Sequence, residues 1–152
     1  VIENALIKFQ EYYSNNLTTK TRPYKGVVST LQQLSGYKKA IYSNKPQELT
    51  TKVIKDLDLN TYFNVVQGAD DSKYKRKPSP EGIAYILEKL HVKPAHALMV
   101  GDSTHDIQAG KKVGLMTCAV TYGYREEKIL AEESPDYMIH QLPELVDILE
   151  SF

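Results

Sequence analysis

The chain has 152 residues, enough for one ordinary domain and too few for two large ones. Apolar residues make up 41% and charged residues 25%, a globular composition, and 19 basic side chains cancel 19 acidic ones. No global field therefore draws the chain to nucleic acid or to a membrane surface, and any attraction for an anion must be local. Cys118 is the single cysteine, which excludes an internal disulfide and a cysteine-built zinc site and fits a reducing cytoplasm. It lies in the apolar run MTCAV and reads as a small core residue. No apolar run approaches the roughly 18 residues of a membrane helix, and no signal peptide is visible.

Taken in order, Ile2, Leu6, Phe9 and Tyr13 fall at helical spacing and predict an amphipathic helix ending near Ser14-Asn15-Asn16. Val1 already lies inside this pattern, as expected of a cut chain. After a polar connector and a turn at Pro23, residues 26–34 read as a second helix with Val27, Val28, Leu31 and Leu34 inward and Gly36 beyond its end. Lys39-Ala40-Ile41-Tyr42 is a short strand running into Ser43-Asn44-Lys45-Pro46, with Pro46 in the first turn of a helix striped by Leu49, Val53, Ile54 and Leu57. Residues 62–66 form the next strand, closed by Gly68, and residues 69–76 form a polar surface loop. Lys77-Pro78-Ser79-Pro80-Glu81 stiffens the entry to a helix carrying Ile83, Ile86, Leu87 and Leu90. The buried strand Leu98-Met99-Val100 stops at Gly101-Asp102, and a helix follows through Gly110 to Gly114. A strand over 116–120, a loop over 121–125, a short helix over 126–131, a strand over 137–139 and a helix with Leu142, Leu145, Val146 and Leu149 complete the chain. This alternation predicts an α/β fold, Rossmann-like, with a parallel sheet and helices on both faces.

A parallel sheet gathers its strand ends on one edge, so Ser43 and Asn44, Lys77, and Asp102 with Asp106 can meet there. A hydroxyl and amides at a helix N-terminus, an ammonium and two carboxylates are what a phosphate with its Mg2+ requires. Each residue also has a plainer use: Ser43, Asp102 or Ser103 as a helix cap, Lys77 as a solvated lysine, Asp106 as a first-turn dipole partner. His105 lies between the two aspartates and reads as an exposed loop position. His91, His96 and His140 have no partners at ligand spacing, and the 11 tyrosines are scattered and form no stacking stripe.

The order SNKP, KPSPEG, VGDSTHDIQAGKKVGL resembles motifs two, three and four of the haloacid dehalogenase superfamily, and the chain looks most like its phosphoglycolate phosphatase group, which also tends to show the NKP and a TYGY segment. The resemblance covers nearly the whole chain, and motif four is its specific part. It implies that Ser43 and the amide of Asn44 bind phosphate. Lys77 would neutralise phosphate charge and keep the nucleophilic carboxylate ionised, Asp102 would ligate Mg2+ directly, and Asp106 would be the second acidic residue at the metal. Lys77 and Asp102 would be the catalytic residues present. The implied partner is a small phosphorylated metabolite.

The superfamily's first motif, a central strand ending in Asp-x-Asp-Gly-Thr, does not occur; Asp56 and Asp58 have the two-apart spacing but lie in or at the end of a helix. Its absence would leave an apolar gap and unpaired backbone between the strands ending at Ser43 and Asp102. Residues 2–13 then resemble the last part of a helical cap, so residues 1–22 are expected to be a cap remnant with linker and residues 23–152 the core domain. The expectation is a truncated, inactive C-terminal part of a Mg2+-dependent phosphomonoester hydrolase that works through an aspartyl-phosphate. A homodimer or strand-swapped oligomer could close the gap. The rival readings are a non-catalytic interaction or regulatory module and a response-regulator-like receiver, the latter disfavoured by Lys77 preceding Asp102.

Overall fold

The computed structural model of the chain describes residues 6–7, 26–122 and 126–151. Strands and helices alternate as β1 (Leu6–Ile7), α1 (Val27–Gln33), β2 (Ala40–Pro46), α2 (Gln47–Asp56), β3 (Val65–Ala69), α3 (Glu81–Leu90), β4 (Leu98–Gly101), α4 (Thr104–Val113), β5 (Met116–Val120), α5 (Glu127–Glu132), β6 (Tyr137–Ile139) and α6 (Glu144–Glu150). Every strand pair is parallel: β1-β4-β5-β6 form one sheet and β2-β3 a second. Among the described residues no helix is long and apolar enough to cross a membrane.

The period-two alternation of the strands sorts side chains onto two faces. Ile41, Leu98, Val100, Cys118 and Val120 pack with residues of α1, α2 and α6. Ala40, Tyr42 and Met99 face the other way and pack with α3 and α4. Helices thus cover both faces, as alternating strands and helices require. Burial, with the Glu144 charge nearby, pushes the Cys118 thiol up to about 12, so it is an inert core residue.

The largest departure from expectation lies at the start. Leu6 and Ile7 are a strand, not part of a helix: they pair in parallel with Met99 and Val100, and β1 lies alongside β2 without a ladder. The expected central gap is therefore occupied by a segment assigned to a cap remnant. Ladder partners offered by β4 satisfy backbone groups that would otherwise be buried unpaired, and this outweighs a helical pattern that local spacing supports only weakly. The rest of that predicted helix lies outside the described residues.

Smaller departures have local causes. Val28, at 39% exposed, is turned out of the core because a seven-residue helix buries one stripe, here Val27, Leu31 and the following Leu34. Leu49 is 38% exposed. Thr50 takes the inner position beside Val53 and Ile54, its hydroxyl donating to the carbonyls of Lys45 and Pro46. β2 runs on through Pro46, which precedes α2 instead of opening it, and its register with β3 shifts between Tyr42 and Pro46. Residues 60–62 form a 3-10 turn, so β3 starts later than predicted and includes Gly68. A Cβ at Gly68 would lie 2.6 Å from the Gln47 Cα, so only glycine allows β3 to pass α2 this closely. The loop before Lys77 is not wholly a surface loop: Tyr74 is buried, and its hydroxyl donates to the Gly68 carbonyl at 2.6 Å.

Candidate active site

β4 is buried along its whole length and delivers Asp102 to the C-terminal rim of the sheet. Ser103 caps α4: its Oγ accepts the Asp106 N–H at 3.3 Å, and Asp106 Oδ2 accepts the N–H groups of Ser103 (3.1 Å) and Asp102 (3.2 Å). This reciprocal arrangement is a capping box, and the Ser103-x-x-Asp106 spacing is the sequence signal that marks it. Gly101 is part of the same construction, because a Cβ there would overlap the Asp106 carboxylate.

The second oxygen of Asp106 does something else. Oδ1 lies 2.7 Å from Lys77 Nζ, in an ion pair whose side chains are 1% and 0% exposed. Such a pair is stable only when its remaining polar atoms are satisfied. Lys77 Nζ also donates to the Tyr42 carbonyl at 3.2 Å and lies 4.8 Å from the centre of the Tyr42 ring, whose negative face attracts the ammonium. Tyr74 packs edge-on against that ring at 6.2 Å between centroids.

The backbone of Lys77 is fixed by Asn44. Asn44 Oδ1 accepts the Lys77 N–H at 3.0 Å, and Asn44 Nδ2 donates to the Lys77 carbonyl at 3.1 Å, so the side-chain amide imitates a strand partner. Ser43, between Tyr42 and Asn44, is buried, and its Oγ accepts the Lys45 N–H at 3.1 Å. The structure therefore links the predicted residues through contacts: Asn44 holds Lys77, Lys77 pairs with Asp106, and Asp106 receives the amide of Asp102. Ser43 adjoins the two residues that touch Lys77. His105 is exposed, and His140 Nδ1 shares a 2.8 Å hydrogen bond with Thr121 Oγ1.

Sequence reasoning missed three roles: the Tyr42 ring beneath the ammonium, the clamp made by the Asn44 side chain, and the double duty of Asp106. An aromatic residue inside an apolar strand carries no signal of the first. Burial, followed by the charges of Tyr74, Asp106 and Glu81, holds the Tyr42 hydroxyl well above its ordinary value, so it is neutral at any physiological pH.

The fit to a divalent cation follows from which oxygens are engaged. Among the described residues no group of three carboxylate, imidazole or thiolate ligands assembles. Asp106 Oδ2 already accepts two amides and Oδ1 the ammonium, which suits contact with a cation through water rather than directly. Asp102 is the carboxylate placed at the strand end. An oxygen-only set with few protein ligands suits Mg2+, which keeps several of its waters.

Residues 2–120 match the haloacid dehalogenase-like hydrolase family. The chain belongs to this family. A phosphoglycolate phosphatase of Neisseria meningitidis is 34% identical to it over 97% of the chain and 65% of the relative. The pyrophosphatase PpaX of Halalkalibacterium halodurans is 32% identical over 97% of the chain and 69% of the relative. A Haemophilus somnus crystal structure, described as a predicted phosphoglycolate phosphatase, superposes with a TM-score of 0.78 at 29% identity, over 84% of this chain and 57% of that one. The chain thus spans about two thirds or less of the length of the phosphoglycolate phosphatases it matches. The α/β architecture with parallel strands is that of the haloacid dehalogenase-like hydrolases.

Proposed function

We propose that this rim binds the phosphoryl group of a small phosphomonoester and takes part in its Mg2+-dependent hydrolysis. The observation that carries the reading is the buried Lys77–Asp106 pair, tied by Asn44 to the end of β2 that carries Ser43, in a chain related to enzymes named as phosphatases. The Ser43 hydroxyl and the Asn44 backbone amide would donate to phosphoryl oxygens. The Lys77 ammonium would offset their charge in a site shielded from water, where its effect is greatest. Asp102 would hold the Mg2+, with Asp106 reaching it through water; when bound, the cation supplies charge neutralisation and orients the phosphoryl oxygens. Phosphoglycolate is the favoured substrate, by likeness to the Neisseria protein.

In this reading an aspartate carboxylate attacks phosphorus, the P–O bond to the alcohol breaks, and the acyl phosphate is then cleaved by water. In this reading the attacking carboxylate belongs to an aspartate outside the described residues. The deciding experiment measures release of phosphate from 2-phosphoglycolate and from p-nitrophenyl phosphate, with Mg2+. It compares the 152-residue chain with a version in which an added N-terminal strand ending in Asp-x-Asp takes the place of Leu6–Ile7 beside β4. The added strand is expected to confer turnover that Lys77→Ala abolishes. If the extended protein binds Mg2+ and stays inactive on both substrates, the enzyme reading fails and a binding module replaces it.

A further inference from the structure

At the opposite edge of the sheet from this rim, where β2 and β3 begin, lies a cavity of about 470 Å3 between the end of α1 and residues 61–64. Its size lies within the range of small-molecule sites. Three aromatic residues, Tyr37, Tyr62 and Phe63, line it together with Lys38, Lys39 and Asn64, and none of the described lining residues is acidic.

Lys39 is the informative group. It is 4% exposed, and its ammonium donates to the carbonyls of Leu34 (2.7 Å) and Tyr37 (2.8 Å). Those bonds satisfy two of three N–H donors and close the end of α1, yet among the described residues no carboxylate neutralises the charge. A buried cation resting only on carbonyl dipoles is poorly compensated. Burial accordingly lowers its affinity for a proton. The neighbouring Asn64 accepts the Lys39 N–H through Oδ1 at 2.9 Å, which leaves its NH2 as a further donor beside the same wall.

We propose that this cavity is a binding site for a small ring-bearing monocarboxylate, its oxygens on the third N–H of Lys39 and the Asn64 amide and its ring among Tyr37, Tyr62 and Phe63. The third N–H of Lys39 and the Asn64 NH2 offer the paired donors that one carboxylate takes, with the ammonium set against its single charge. The aromatic walls supply stacking area for a flat body. The site is separate from the phosphate rim, so it stands or falls independently of the proposed hydrolase activity.

The test uses the 15N-labelled chain titrated with phenylacetate, and with benzyl alcohol as the uncharged control. Phenylacetate is expected to give saturable shifts of the amides of residues 36–39 and 61–64 with millimolar or tighter affinity. Lys39→Met is expected to weaken binding about tenfold, the worth of one charge-assisted contact. If Lys39→Met does not fold, Asn64→Ala and Tyr62→Leu carry the same comparison, each expected to weaken binding several-fold. The proposal is overturned by the absence of saturable shifts, by equal binding of benzyl alcohol, by undiminished binding in the variants, or by shifts confined to Ser43, Asn44 and Ser103.

Discussion

Replacing Asp106 with alanine probes the centre of the candidate site, because one carboxylate holds two structures together. Oδ1 neutralises Lys77 at 2.7 Å in full burial, and Oδ2 receives the first amides of α4. Removing one member of a buried pair costs about 3–5 kcal/mol, chiefly because the other charge is stranded. Loss of the cap adds about 1 kcal/mol. The sum, about 4–6 kcal/mol, is comparable to the whole stability of many domains of this size. If the stranded ammonium is the dominant cost, Asp106→Ala combined with Lys77→Met should be more stable than Asp106→Ala alone by about 2 kcal/mol. Urea denaturation followed by far-ultraviolet circular dichroism, with slopes compared across the four proteins of the cycle, measures both quantities. A cost below about 1 kcal/mol for Asp106→Ala, or a double variant no more stable than Asp106→Ala, would refute the account of a buried, mutually dependent pair.

Three other substitutions test neighbouring parts of the argument. Gly101→Ala drives a methyl group into a carboxylate held at both oxygens, and should cost at least the usual 1–3 kcal/mol of overpacking in the same denaturation assay. Asn44→Ala removes both hydrogen bonds to the Lys77 backbone; a stability loss of about 1–3 kcal/mol and weaker binding of inorganic phosphate by calorimetry are expected. Tyr74→Phe tests a pH effect. Burial, followed by the Asp70 and Tyr85 charges, pushes the Tyr74 hydroxyl up to about 12, so the folded state holds its proton longer than the unfolded chain does. Its contribution is complete below pH of about 10 and is lost as pH rises towards 12, so the stability gap between the natural protein and Tyr74→Phe should narrow over that interval. A gap that stays constant from neutral pH to 12 would show that Tyr74 does not titrate as a buried phenol.

What could be read from the residues alone were the features set by short-range pattern and by chain order. The run Leu98-Met99-Val100 ending at Asp102 is buried as its composition requires, and the stripe Ile83, Ile86, Leu87 and Leu90 faces the core. Features set by competition between distant segments were not legible. Leu6 falls at a helical spacing with Ile2, Phe9 and Tyr13, and only its pairing beside β4, with Ile7, makes it part of a strand. Val28 and Leu49 are apolar yet exposed, because which stripe of a short helix is buried depends on the neighbour it meets. At the site, residue types announced charge complementarity, while the pairing of one particular oxygen with one particular donor, as at Asp106, depended on backbone geometry that no spacing encodes.

The Asn44 clamp joins two segments 33 positions apart in the chain through a pair of opposed hydrogen bonds. The end of β2 and the residue that carries the ammonium are thereby yoked, so a tug on either one is transmitted to the other. A ligand settling on this lip finds its donors already in station and forfeits little freedom of the protein on arrival. By the same token, the lip is brittle: cutting the yoke at Asn44 would let two anchoring points drift separately, and the loss would be felt in every anion the rim accepts.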